Sequence, residues 1–261
     1  MVQSNKQIRV VLSIAGYDPS SGAGVTADIK TIAAHGCYGI SCITALTVQS
    51  TRGVARVVPV DGRVISETLE RLADDVKIAA VKVGMLGSAE AARAVAEFLQ
   101  RHSPPFVVVD PILRSSSGAE LISKDGLQVL KADILPQAYV ITPNIDEAAV
   151  LNGMEVRNVE EMKAAAARLQ NMGARNLIVT GGHLDPPYDL LCREDGKVSV
   201  LKGKKIPSRS THGTGCAFST ALACELALRR DLPQAAKAAK RYVEAALKTA
   251  PRIGKGVGPV V

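Results

Sequence analysis

Residues 8–36 read IRVVLSIAGYDPSSGAGVTADIKTIAAHG, an apolar, β-branched run that breaks at Gly16 into a glycine-rich turn and then into a helical pattern ending at Gly36. A strand that is apolar on both of its faces belongs in a sheet covered on both sides, which is the environment of a parallel sheet. The same alternation continues along the chain. GISCITALTV follows, VARVVPV precedes a helical stretch at 61–73, and IAAVKVGM precedes SAEAARAVAEFLQRH. FVVVD leads to a loop and a short helix, and YVITPN leads to DEAAVLNG and VEEMKAAAARLQNMG. NLIVTGG is then followed by DLLCRED and KVSVLKG, a hairpin turned at Asp195-Gly196.

These units predict an α/β fold: a three-layer sandwich with a mostly parallel central sheet and helices on both faces. Gly36, Gly153 and Gly173 each follow a helical stretch and suit the left-handed residue that ends a helix. The final helix, LPQAAKAAKRYVEAALKTA, keeps its apolar residues on one side and its lysines elsewhere, as an amphipathic cover does. No linker, low-complexity segment or internal repeat interrupts the pattern, so residues 1–261 are expected to form a single domain.

The charge balance is 32 Lys and Arg against 25 Asp and Glu, a formal +7, and it favours anionic partners. Nucleic acid is not the expected one. Five Tyr, three Phe and no Trp leave little for base stacking, and no nucleic-acid-binding motif is present. No apolar run approaches the ~20 residues of a membrane span, and MVQSNKQIRVVLSIAG is too interrupted for a signal peptide, so a cytoplasmic protein with no membrane partner is expected. The five scattered cysteines include no C-x-x-C pair, and the four histidines have no metal-ligand spacing. Neither a disulfide framework nor a protein-ligated transition metal is indicated.

Four stretches could carry chemistry. In STHGTGC, 210–216, the backbone amides of Gly213, Thr214, Gly215 and Cys216 can converge at a helix N-terminus, where unpaired N–H groups favour a phosphate oxygen. A plain helix entry capped by Thr is the alternative. A thiol at a helix N-terminus is expected below its ordinary pKa of ~8.5, so Cys216 is expected as a thiolate able to accept a proton from an attacking hydroxyl. AGYDPSSGAGVTADIK, 15–30, has neither dinucleotide-fold nor P-loop spacing, and Asp28 within it reads equally well as a solvated first-turn acid or a site residue. TPNIDEA, 142–148, places Asn144 and Glu147 at capping-box spacing. TGGHL, 180–184, ends a strand on two glycines, which suits a turn or a phosphate against backbone.

Together and in order, GYDPSSGAGVTADIKT, ITALTVQSTRG, KVGMLG, VVDPILRSSSG, TPNIDEA, GGHL, THGTGC and GKGVGPV resemble the hydroxymethylpyrimidine and hydroxymethylpyrimidine phosphate kinases of thiamin biosynthesis, within the ribokinase superfamily. The resemblance runs from about residue 8 to the end. It implies a ribokinase-like fold and an ATP- and Mg²⁺-dependent kinase, with a small-molecule substrate and a homodimeric assembly. By it Gln49 contacts the aminopyrimidine, with Asp28 and Ala23 at the substrate and Thr47, Met85 and Ile112 lining the pocket. Gly213, Thr214, Gly215 and Cys216 form the anion hole and catalytic turn. Asn144, Glu147, Thr180 and Gly182 fall at the nucleotide, and Glu147 and Asp110 near magnesium.

The chain departs from the family pattern at Thr180 and Ser116, where lysine is common, and at Thr26, where glutamine is common. The missing cation is expected to be replaced by Arg114 or by the basic run Lys202, Lys204, Lys205 and Arg209. A pyridoxal or pyridoxine kinase is the neighbouring alternative, since its substrate is also a small aromatic ring with a hydroxymethyl arm. A non-catalytic ligand- or nucleic-acid-binding protein is the alternative from another class.

Overall fold

The opening run forms strand β1 (Val10–Tyr17), and the later β-branched segments supply β2 (Tyr38–Ser50), β3 (Gly53–Pro59), β4 (Ile78–Val83), β5 (Val107–Val109), β6 (Val140–Ile141), β7 (Leu177–Gly181), β8 (Tyr188–Cys192) and β9 (Val198–Lys202). The computed structural model describes residues 8–115, 117–182, 184 and 186–261. All nine of these strands join one sheet, in the order β3-β2-β1-β4-β5-β6-β7-β8-β9. The run from β2 through β7 is parallel, while β3 at one end and β8 and β9 at the other pair antiparallel. The expected hairpin turns at Gly196, which takes a left-handed φ of 78°.

Successive residues of the central strands bury into opposite layers. Leu12, Ile14, Val81, Val83, Val107 and Val109 pack into one core, against α2 (Gly62–Asp75), α3 (Ala89–His102), α5 (Ile145–Asn152) and α6 (Val159–Asn171). Val11, Ala80, Val108, Val140 and Ile178 pack into the other, where α1 (Gly24–Ala34), α7 (Thr214–Ala227) and α8 (Leu232–Thr249) lie. A short helix, α4 (Lys124–Val129), completes the element order on the first side. Side chains cap several helices as their sequences suggest: Asp61 accepts from the amide of Arg63, Ser88 from that of Ala91 and Asp231 from that of Gln234. Gly36, Gly153 and Gly173 take positive φ, the expected helix-ending conformation.

One charged group stands inside this apolar frame. Lys82, next to last in β4, has its side chain fully buried, on the layer shared with α1 and α7. Its Nζ is 2.9 Å from Asp28 Oδ2 and 3.2 Å from Oδ1. The Ser13 hydroxyl donates to Asp28 Oδ2 at 2.6 Å, and that of Thr220 to Oδ1 at 2.7 Å. Asp28 is thus neither a solvated first-turn acid nor a lining residue of the cleft described below. It is a fully buried counter-ion, because α1 turns that face onto the sheet where the lysine waits. Burial alone would lower the Lys82 pKa, but the Asp28 carboxylate beside it outweighs burial and holds the ammonium above the ordinary lysine value.

Breaking a buried pair leaves one uncompensated charge, which costs about 3–5 kcal/mol, whereas removing both charges is far milder. Lys82→Met is therefore expected to lower unfolding stability by that amount in urea titrations, and Lys82→Met with Asp28→Asn to recover much of it. A Lys82→Met chain as stable as the unmodified protein overturns the assignment.

Candidate active site

The carboxyl ends of the parallel strands open into a cleft of about 1070 Å³, the position at which open α/β sheets bind ligands. At one end stand Thr47 and Gln49 of β2, with Ala23, Met85 and Ile112 beside them. Met85 packs with Ala45 and Leu121 in a small apolar cluster. The Thr47 hydroxyl donates to the Tyr17 carbonyl at 2.9 Å and lies 3.1 Å from Gln49 Oε1. An apolar slot with one amide is suited to a flat ring that carries hydrogen-bonding groups on one edge.

In the middle of the cleft, α7 presents its N-terminus. Gly213 occupies the N-cap with φ 83°, in the left-handed region, and no side chain caps the helix. A side chain at 213 would run into the Gly22 carbonyl, so glycine is required both by conformation and by the close approach of the two loops. The Thr-capped alternative is thereby set aside, and the amides following Gly213 face the cleft with Thr214, Gly215 and Cys216.

The Cys216 thiol departs from expectation. Burial pushes its pKa up to about 12, with Asp28 and Asp110 adding to the rise and Lys82 opposing it. The helix N-terminus does not produce a thiolate in the ligand-free cleft, because the thiol lies in the low-dielectric interior with two carboxyls near it.

Asp110 and Glu147 face each other across the same region. Asp110 is buried at the end of β5 and accepts from the Ser219 hydroxyl at 3.0 Å. Burial raises its pKa, against the pull of Lys82. Glu147 closes the expected capping box with Asn144, each accepting from the other's amide at 2.9 Å. Its pKa is nevertheless raised to about 8, by burial first and then by Asp110. Two oxygen-donor groups that resist ionising together suit a hard divalent cation, which would relieve that repulsion. No cluster of three or more His, Cys, Asp or Glu able to hold a metal occurs among the described residues, so two carboxyls are only part of a coordination shell. The remainder is what phosphate oxygens and water commonly supply to Mg²⁺.

At the far end Thr180 lines the cleft, its amide donating to the Pro143 carbonyl at 2.8 Å. Gly182 is outside the lining. The neighbouring Gly181 amide is anchored instead by Asp189, which pairs with Lys240 at 2.5 Å. His183 and Ser116 lie outside the described residues. Of the cations expected to replace the missing lysine, Arg114 lines the cleft, together with Arg52 and Lys124. Lys202, Lys204, Lys205 and Arg209 are outside its lining.

Two lining residues carried no signal in the sequence reading. Asp18 accepts from the amides of Ser20, Gly22 and Ala23, and His212 Nε2 lies 2.7 Å from its Oδ2. Burial would raise the Asp18 pKa, but the hydrogen bonds from His212 and Ser20 hold it below the ordinary carboxylate value. A C-terminal segment then ties the turn after β2 to the loop before α7: the Val257 amide donates to the Thr51 carbonyl, the His212 amide to that of Gly258, and the Val260 amide to that of His212.

The family model for phosphomethylpyrimidine kinase matches residues 18–261. A hydroxymethylpyrimidine/phosphomethylpyrimidine kinase from Aquifex aeolicus is 40% identical over 248 residues, covering 95% of this chain and 97% of that protein. Among solved structures, phosphomethylpyrimidine kinase from Clostridium difficile 630 superposes with a TM-score of 0.82 at 36% identity, over 91% of this chain and 99% of that one. The pyridoxal kinase from Staphylococcus aureus, in complex with AMP-PCP and pyridoxal, superposes at 0.86 with 31% identity, over 97% and 92%. No helix among the described residues is long and apolar enough to cross a membrane.

The raised pKa of Glu147 has a consequence for stability. The folded protein keeps a proton that the unfolded chain releases near pH 4.5, so this contribution is complete below 4.5 and is lost as pH rises through about 8. The melting temperature of the ligand-free protein is expected to fall by a few degrees across that window, and Glu147→Gln to flatten the decline. An unchanged slope in the variant, read by thermal denaturation at a series of pH values, would assign the titration elsewhere.

Proposed function

The chain belongs to the phosphomethylpyrimidine kinase family, and we propose that it transfers the γ-phosphoryl group of ATP to the 5-hydroxymethyl oxygen of 4-amino-5-hydroxymethyl-2-methylpyrimidine, and then to the resulting monophosphate. The observation that carries this reading is the uncapped N-terminus of α7, which opens between an apolar, amide-bearing slot on one side and the Asp110–Glu147 pair on the other. An anion site flanked by a ring pocket and a pair of metal-suited acids is what phosphoryl transfer to a small aromatic alcohol needs.

In this proposal the ring lies against Met85 and Ile112, with Gln49 pairing to its hydrogen-bonding edge. The amides of Gly213 to Cys216 hold the transferring phosphoryl group, and Cys216 takes the hydroxyl proton. The hydroxymethyl oxygen bonds to the γ-phosphorus as the bond to the β-phosphate oxygen breaks, and ADP leaves. Because burial holds Cys216 as a thiol, its proton-accepting form depends on Lys82 first and on the Gly24 amide second, the two groups that pull its pKa down. Asp110 and Glu147 would hold Mg²⁺, which supplies charge neutralisation to the ATP phosphates. In this reading Thr180 and Asn144 face the nucleotide, and Arg114 is the cation that replaces the missing lysine; it lines the cleft, as Thr180 and Asn144 do.

The close superposition with a pyridoxal kinase gives the second reading its weight. A coupled ATP-consumption assay comparing hydroxymethylpyrimidine, its monophosphate and pyridoxal separates the two. Turnover of pyridoxal alone would transfer the chain to the second reading.

Loss of a proton-accepting group typically costs ~10²–10⁴ in rate, so Cys216→Ala is expected to lower kcat by that factor while ATP affinity changes little. Wild-type turnover by the alanine variant would leave Cys216 a packing residue. Gln49→Leu is expected to raise KM for the pyrimidine about tenfold or more with KM for ATP nearly unchanged, since it strands the ring's polar groups. Equal effects on both substrates would remove Gln49 from the ring.

A further inference from the structure

We infer that Asp18 and His212 are positioning residues that set the orientation of the Gln49 amide, and through it the edge of the ring that the cleft accepts. The inference rests on Gln49 as the ring-recognising group and adds what holds it.

The hydrogen-bond inventory around Asp18 leaves little freedom. Its Oδ1 accepts from the Ser20 amide at 2.8 Å and the Ser20 hydroxyl at 2.7 Å, and its Oδ2 accepts from the amides of Gly22 at 3.2 Å and Ala23 at 2.9 Å. A carboxylate so surrounded by donors is an acceptor only, so His212 Nε2, 2.7 Å from Oδ2, carries a hydrogen. The imidazole packs directly against the backbone of Gly22, where an added Cβ would run into its Cδ2.

The same His212 Nε2 lies 3.1 Å from Gln49 Nε2. With the hydrogen on the imidazole, that contact sets two donors against each other. Turning the Gln49 amide over exchanges its oxygen and nitrogen, which are distinguished by hydrogen-bond partners rather than by shape. The oxygen then faces the single N–H that His212 directs at Asp18, as the second and longer acceptor of a three-centre contact, and the amide nitrogen, 3.1 Å from Thr47 Oγ1, donates to a hydroxyl that is itself already donating to Tyr17. That arrangement removes the donor–donor contact and leaves the chain Asp18–His212–Gln49–Thr47–Tyr17 with an acceptor opposite every donor.

The oriented amide retains one N–H and one oxygen lone pair for the cleft. A 4-aminopyrimidine offers the matching pair, a ring-nitrogen acceptor beside an amino donor. Reversing the amide exchanges the two positions, and a ring gripped through its apolar faces could follow only by turning over. Asp18 and His212 therefore act through Gln49 and make no contact with the reacting atoms.

The test measures binding of 4-amino-5-hydroxymethyl-2-methylpyrimidine, without nucleotide, by isothermal titration calorimetry. His212→Ala is expected to weaken binding about tenfold in the native background, yet less than about twofold when Gln49→Leu is already present. His212→Gln, which can offer an N–H at similar reach, should restore most of the affinity. Asp18→Asn supplies a second route should the alanine variant fold poorly. It can turn a donor toward His212, move the imidazole hydrogen away from Nε2, and reverse the Gln49 amide with Gln49 still in place, so it too should weaken binding. If Gln49→Leu binds the pyrimidine as the unmodified protein does, the ring assignment of Gln49 fails and this inference with it. If Gln49→Leu binds weakly but His212→Ala costs the same factor in both backgrounds, the positioning role alone is overturned.

Discussion

The buried pair of Lys82 and Asp28 is the contact on which the arrangement of this cleft depends. It joins the centre of the sheet, at β4, to α1, and its two hydroxyl partners bring in β1 through Ser13 and α7 through Thr220. The helices fixed in this way are the two whose N-terminal ends, at Ala23 and Gly213, line the cleft. A charged pair is a demanding way to join layers, because it is satisfied in one register only, whereas an apolar contact tolerates sliding. The site inherits its geometry from that intolerance.

The pair also defines the electrostatics above it. Asp110, Glu147 and Cys216 are each shifted toward their neutral forms, by burial first and then by neighbouring carboxyls, Asp28 for Asp110 and Asp110 for Glu147. Lys82 is the charge that opposes the shift for Cys216, with the Gly24 amide beside it, and it opposes the shift for Asp110 as well. The ligand-free cleft thus avoids accumulating negative charge at the place where phosphate groups would arrive. That is consistent with a site whose charges are organised by its ligands and by the lysine beneath it.

What the sequence made legible was local. The Asn144–Glu147 box, the glycine turn before α7 and the strand–helix alternation each lie within a few residues, and each is realised. Gln49, Thr47, Met85 and Ile112 came through resemblance, and all four line the cleft. The misreadings came from contacts that close over long separations. Asp28 read equally as a first-turn acid or a site residue, and is neither, because its partner lies 54 residues away in β4. Cys216 was read from the helix end alone, although burial among residues from other elements controls it. Asp18 and His212 stand 194 residues apart, and nothing in either neighbourhood announces the other. A lone lysine inside IAAVKVGM was the one available hint, since a strand buried on both faces must neutralise any charge it carries.

The segment that laces Thr51 to the loop of His212 has a kinetic meaning. Gly256 and Thr51 touch across 205 residues of chain, so closing that contact requires nearly the whole polypeptide to be in place first. Helices and most strands have closer partners and can form sooner. Refolding should therefore proceed in two stages, an early recovery of secondary structure and a later recovery of a cleft able to hold a ligand, with the interval between them set by topology rather than by local propensity.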